Sequence, residues 1–283
     1  MQTTPRPFDS LTPRRRSHVR ASGLVLASLG VALASIVSGG CVYRSSADYV
    51  VTRAAQTAHT AGAAVSVSTE NRSDVEITAE VRAQTQERAE QVIIVADRKD
   101  DGTLDVSVQW PDARRGSEGC TFTIALPEAS GVKARTSNGA VTIEGLSGFA
   151  DLQTSNGRIT VKDHAGPVDA DSSNGAIELV DVAGKIDAKT SNGRVTIVMA
   201  ASNPGPVNVR TSNGSIDLTA SAEMGGVLKM ETSNGSIAAD IPGATASISK
   251  KKGEVKLPRE GAESMLKTSN GRITVKTRET PKI

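Results

Sequence analysis

Thr-Ser-Asn-Gly recurs along the second half of this 283-residue chain and leaves it few choices of fold. Its Asn-Gly pair stands at Asn138-Gly139, Asn156-Gly157, Asn174-Gly175, Asn192-Gly193, Asn213-Gly214, Asn234-Gly235 and Asn270-Gly271. Successive Asn residues are 18, 18, 18, 21, 21 and 36 positions apart. The last gap fits two units of 18 with a degenerate copy between them, where Lys252-Gly253 replaces Asn-Gly. A fixed period near 20 residues marks a solenoid or array. The pattern predicts about eight units of 18–21 residues between 131 and 276.

The flanks of each Asn alternate with the two-residue period of a strand. In the third unit, Ala170 and Ser172 precede the pair, and Ile177 and Leu179 follow it, with polar residues between. Each unit reads as two short strands with one apolar face apiece. Gly accepts positive φ without a Cβ penalty and Asn tolerates the left-handed region, so both suit a bend. A hairpin meander with type I′ turns would use that bend, as would a β-solenoid passing from one parallel sheet to the facing one. The meander sets Asp171 opposite Glu178, a like-charge pair. Stacking instead brings each residue beside its own counterpart, about 4.8 Å away. The longer units grow within "VMAASNPGPV" and "TASAEMGGV", away from the bend, where a loop lengthens at small cost. The expectation is an all-β chain, a β-solenoid of parallel β-helix type, with its Asn side chains in an exposed ladder. An aromatic content of 2% suits so thin a core.

Residues 1–40 read as a lipoprotein-type signal peptide: Arg14, Arg15, Arg16 and Arg20, then "ASGLVLASLGVALASIV", then "SGGC" ending at Cys41. The expected lipid attachment point is the Cys41 thiol, although Ser38 stands where such signals usually carry Leu. Residues 41–62 read as a tether and 63–130 as N-terminal β rungs with a hairpin. Within 63–130, residues 63–81 read as a diverged opening rung bent at Asn71-Arg72, 82–91 as a short helix, and the hairpin turns near Asp101-Gly102. Residues 131–283 form the repeat solenoid with a basic C-terminal cap. Cys120, with Cys41 lipidated, has no partner and reads as a small buried hydrophobe.

Removing residues 1–40 takes away five basic and one acidic residue, leaving 28 basic, 30 acidic and a net charge of −2. That balance argues against a nucleic-acid partner. Residues 249–283 nevertheless hold ten basic and four acidic residues. Such lysines either blunt an exposed sheet edge or dock an anionic surface.

The segment "FTIALPEASGVKARTSNGAVTI", followed by the repeats, resembles the bacterial putative-adhesin family of domains of unknown function. The likeness covers residues 63–276 and implies a β-solenoid fold, an envelope location and no known catalytic residues.

No HExxH, GxSxG, Walker loop, dinucleotide fingerprint or paired CxxC occurs. His18, His59 and His164 fall in the signal, the tether and a loop, and read as solvated, with no metal or cofactor implied. Asp151, Asp169 and Asp187 share one register position on an outer face, with Asp171 two residues along. That row reads either as a ligand face for a cation or sugar hydroxyls or as solvated carboxylates relieved by Arg135 and Lys189. The whole reads as a non-enzymatic, lipid-anchored module of the cell envelope. It acts by adhesion or display, with envelope or host glycans or a surface protein as partner. A regulatory envelope protein is the alternative, and a polysaccharide-active enzyme using the Asp row is a more distant one.

Overall fold

A computed structural model describes residues 64–278 apart from 73, 101 and 117, and, as backbone alone, the strands within residues 33–59. Residues 1–32 and the side chain of Cys41 lie outside the described residues. In chain order the strands begin with β1 (Leu33–Val37), β2 (Gly40–Val51), β3 (Ala55–His59), β4 (Val65–Thr69) and β5 (Val75–Ala83). The helix α1 (Gln86–Glu90) precedes β6 (Ile93–Arg98), β7 (Thr103–Gln109) and β8 (Gly119–Leu126). The repeats supply β9 (Gly131–Thr136), β10 (Val141–Glu144), β11 (Phe149–Thr154), β12 (Ile159–His164), β13 (Val168–Ser172) and β14 (Ile177–Val182). They continue with β15 (Ile186–Thr190), β16 (Val195–Met199), β17 (Val207–Thr211), β18 (Ile216–Ala220), β19 (Val227–Thr232) and β20 (Ile237–Asp240). A hairpin, β21 (Thr245–Ile248) and β22 (Lys252–Lys256), precedes β23 (Ser264–Thr268) and β24 (Ile273–Thr277).

The repeat region is a β-solenoid. The strand before each Ser-Asn-Gly lies in one twelve-stranded sheet, here sheet A, and the strand after it in a second, sheet B. Neighbouring repeats pair in parallel and in register, as in Leu152↔Ala170, Ala170↔Ala188 and Ile159↔Ile177, Ile177↔Val195. Alternate residues of both sheets meet between them, so Leu152, Ala170, Ile177, Leu179, Ile186, Ile197 and Val209 are all buried. Small and branched side chains fill the gap because each must fit beside its counterpart in the next rung.

The corner holds for a reason other than bending. None of the repeat Asn or Gly residues has positive φ. Gly is required by proximity: a Cβ built on Gly175 would lie 1.6 Å from the carbonyl oxygen of Gly157, and one on Gly157 would lie 1.7 Å from that of Gly139. Each Thr or Ser two residues before the Asn turns inward and serves both sides of that contact. The Gly157 N–H donates to Thr154 Oγ1 at 3.1 Å, and that hydroxyl donates to the Gly139 carbonyl at 3.0 Å. The same pair of bonds recurs at Ser172, Thr190, Thr211, Thr232 and Thr268. Buried hydroxyls and backbone groups are thereby satisfied rung by rung.

Outside, the Asn side chains form the expected ladder. Each Nδ2 donates to the Oδ1 of the rung below, at 2.6–2.8 Å, through Asn156 to Asn138, then Asn174, Asn192 and Asn213. The ladder then departs from sequence order, running from Asn213 to Asn270 and only then to Asn234. The last repeat in sequence has slipped between its two predecessors. β23 pairs with both β17 and β19, and β24 with both β18 and β20. β20, where Ile237 and Ala239 are only half-buried, thus takes the edge of sheet B, while β19 of the same rung is covered by β22. An edge strand has a neighbour on one side only, so weak inward residues cost least there.

Several expectations are corrected. The repeats form seven parallel rungs rather than eight, because the Lys252-Gly253 unit turns back as the β21–β22 hairpin and pairs antiparallel with β19. Lys has no acceptor and cannot extend an amide ladder; Ser249 closes a local turn with Lys252 instead. This hairpin places Lys250–Lys252 at the edge of sheet A, whereas Arg272 and Lys276 belong to the intercalated rung and are no cap. Residues 63–81 are not a rung: β4 and β5 lie in the same sheet on either side of β8. Their turn lacks Ser-Asn-Gly and is held by Arg72, whose guanidinium lies 3.0 Å from Asp74 and 2.8 Å from Glu76. Within the expected tether, β2 pairs with β5, and β3 lies between β7 and β9. β1 runs along the outer side of β2, so its removal with a signal would leave β2 as the sheet edge. The β6–β7 hairpin forms as expected, and Thr85 caps α1 by accepting from the Arg88 N–H at 3.2 Å.

His164 is buried, 2% exposed, rather than solvated. Asp163 before it has φ of +50°, which turns the following residue inward against the strand alternation. Asp181, at φ +54°, does the same for Val182, which is His164's partner in register. The imidazole Nε2 donates to the Gly148 carbonyl at 3.0 Å, and Nδ1 has no partner. Burial therefore holds the His164 pKa below its ordinary value. Cys120 is fully buried, and burial pushes its thiol up to about 12.

Gly175→Ala should destabilise the protein by about 4 kcal/mol or more, since its Cβ meets backbone that cannot move away. Gly102→Ala, at φ +85° in open space, should cost only about 1–2 kcal/mol. Denaturant melts of the two variants check the contrast. For His164 the unfolded chain takes up the proton first as pH falls below about 6.5. Stability is thus complete above that pH and is lost as pH falls through the folded pKa. Melting curves from pH 7 to pH 5 should show a steeper loss in the wild type than in His164→Leu.

Candidate functional site

The outward positions of sheet A form two rows along the stacking direction. The row five residues before each Asn runs Lys133, Asp151, Asp169, Asp187, Asn208, Met265 and Lys229. Three aspartates are therefore adjacent, as their spacing predicts. Asp171 lies in the second row, between Gln153 and Lys189.

Cations reach every one of these carboxylates. Arg135 lies 3.4 Å from Asp151, and Lys185 lies 2.7 Å from Asp187. Lys189 stands between Asp169, at 4.0 Å, and Asp171, at 3.9 Å. Partial burial raises the Asp169 pKa, Lys189 opposes that, and the neighbouring aspartates add to it. Among the described residues no group of three or more His, Cys, Asp or Glu side chains is gathered as a metal site. The acidic row is a compensated surface in which Lys189 bridges two rows.

The second row has a different character. It runs Arg135, Gln153, Asp171, Lys189, Arg210, Lys267 and Glu231. Three cations, Lys189, Arg210 and Lys267, thus occupy consecutive strands. Sequential stacking would have put Arg210 beside Glu231, a favourable pair; the intercalated rung puts Lys267 there instead. Glu231 now lies 2.9 Å from Lys267, and Lys267 holds its carboxyl below the usual range. Between this row and the Asn ladder runs a groove of about 440 Å³, lined by Asp171, Lys189, Arg210 and Lys267 and by the exposed serines of the corners. The full basic row escapes sequence reasoning. Lys189 and Arg210 already share that register position in consecutive repeats of the sequence, and only the addition of Lys267 depends on the order of the rungs.

The ion pair of Asp169 with Lys189 is exposed, and such pairs contribute little to stability. Asp169→Asn should leave stability at pH 7 within about 0.5 kcal/mol of wild type, as measured by urea melts.

No protein-family model matches the chain, and no curated protein matches it. Solved structures do. A putative adhesin from Bacteroides fragilis is 15% identical, with a TM-score of 0.43 over 83% of this chain and 97% of that one. A putative cell adhesion protein from Clostridium sporogenes is 9% identical, with a TM-score of 0.37 over 82% of this chain and 100% of that one. A putative adhesin from Parabacteroides merdae is 12% identical, with a TM-score of 0.35 over 86% of this chain and 98% of that one.

Proposed function

We propose that the chain is an exported, lipid-anchored module of the cell envelope that binds or displays and carries out no chemistry. One observation carries the reading. The outer face of sheet A presents two rows of outward positions in register on every rung, polar at all but Met265. Stacked repeats make extended surfaces of this kind, suited to an extended partner. The acidic row, the feature closest to a catalytic constellation, supports the non-catalytic reading because each of its carboxylates lies within 4.0 Å of a cation. Anchoring is supported by the basic stretch, the apolar run and Cys41 at the N-terminus.

Two measurements test this. The full-length protein, applied to an array of envelope and host glycans, should bind a subset selectively, and Asp169→Asn should not change the pattern. Turnover of any glycan, abolished by Asp169→Asn, would replace binding with catalysis. Metabolic labelling with a fatty acid should mark the wild type and not Cys41→Ala; a label that persists in the variant sinks the anchor.

A further inference from the structure

We infer that the groove beside the Asn ladder binds an acidic polysaccharide. The chain would lie along the stacking direction, with its anionic groups on Lys189, Arg210 and Lys267. This rests on the binding-module reading and names the ligand class for it.

Lys189 is shared between Asp169 and Asp171, and Lys267 is held by Glu231. Arg210, between them in register, has no ion-pair partner among the described residues and is exposed. The middle of the groove therefore carries an uncompensated guanidinium, flanked by two cations whose own partners sit at the far sides. A guanidinium presents a planar fork that matches a carboxylate or sulfate in two parallel hydrogen bonds.

Hydroxyls supply the second element. Ser173, Ser191, Ser212 and Ser269 line the same groove, one per rung. Their backbone groups are used between rungs, as where the Asn192 N–H donates to the Ser173 carbonyl at 3.1 Å and the Asn270 N–H to the Ser212 carbonyl at 2.9 Å. Their side chains face solvent beside the cations. Each rung thus offers a hydroxyl and, on three consecutive rungs, a cation, repeated at the strand spacing of about 4.8 Å. A polymer that carries an acid and free hydroxyls on each short repeat unit meets both rows at once. A single phosphate would use one rung and leave the rest unmatched.

The lining also separates this ligand from its competitors. It contains no aromatic side chain, so neither a nucleobase nor the flat face of a neutral sugar has a stacking platform. A membrane surface is met by apolar side chains inserted beside basic ones, and every residue lining this groove is polar or charged.

Binding of the full-length protein to polygalacturonate is the test, by calorimetry at 50 and 300 mM salt. Dextran, inorganic phosphate and vesicles containing phosphatidylglycerol serve as comparison ligands. Polygalacturonate should bind and weaken with salt. Arg210→Gln should weaken it about tenfold, Arg210→Glu should weaken it further, and Arg210→Lys, which keeps the charge and loses the fork, should fall between the wild type and Arg210→Gln. Thermal melts of the three variants should match the wild type, since the side chain is exposed. Polygalacturonate binding that both Arg210→Gln and Arg210→Glu leave intact overturns the inference. Binding to dextran alone overturns it while the binding-module reading stands. Binding to the vesicles or to phosphate alone overturns it as well, and silence toward every carbohydrate on the array overturns it and leaves a surface protein as the partner of the binding module.

Discussion

At each repeat corner the carbonyl of one Gly lies against the Cα of the Gly on the next rung. It leaves no room for a methyl group: the Cβ positions built on Gly157, Gly175, Gly193, Gly214, Gly235 and Gly271 fall 1.6–2.0 Å from that oxygen. Everything else in the repeat follows from holding the backbones so near. The inward Thr or Ser hydroxyl bonds the Gly N–H of its own rung and the Gly carbonyl of the next, so the tight corner is also a satisfied one. The strands on either side are then fixed in register, and their alternate side chains are delivered to a core only one residue thick per rung. A one-residue slip would turn every apolar residue outward, and the corner contact forbids it.

Above the corner, the Asn ladder adds a second continuous chain of hydrogen bonds on the solvent side. Exposed amide pairs contribute modestly, each near the low end of about 0.5–1.5 kcal/mol. Their larger effect is on specificity. An amide both donates and accepts, so each rung can take a rung of the same kind on either side. Rungs are therefore interchangeable at the corner, and the last one can be inserted out of order. The order that results is decided by the flanks. Ser264 accepts the Val207 N–H at 3.0 Å, and Glu263 and Glu231 engage Lys229 and Lys267 at 2.6 and 2.9 Å. The weaker apolar strand, β20, is left at the edge of sheet B.

That insertion has chemical consequences. Opposite charges lie beside each other on most of sheet A, where Lys189 serves Asp169 and Asp171 and Arg135 serves Asp151. Only where the intercalated rung separates Arg210 from Glu231 do three cations follow one another. The neighbouring pair Lys189 and Arg210 of the sequential repeats is thus extended to three cations by the intercalated Lys267. Buried ionisable groups have a different role. His164 is folded inward by the left-handed Asp163, and Cys120 is fully buried with its thiol pKa raised by that burial; both belong to packing.

Much of this was written in the sequence. The Asn period and the two-residue alternation of residues such as Ala170, Ser172, Ile177 and Leu179 determined an all-β solenoid, its inward set, its exposed Asn ladder and the adjacency of Asp151, Asp169 and Asp187. Such patterns are legible because a rung's faces depend only on residues close in the chain. The reason for the Gly was not legible, since bending and close approach both select it and only neighbouring backbones distinguish them. The fate of Lys252-Gly253, the inward turn of His164 and the place of β23 and β24 were decided by the tertiary structure. Each depends on which distant strand offers a free edge, and no local pattern carries that information. The place of Lys267 beside Lys189 and Arg210 is of the same kind: the repeat register set the first two side by side, and the order of stacking added the third.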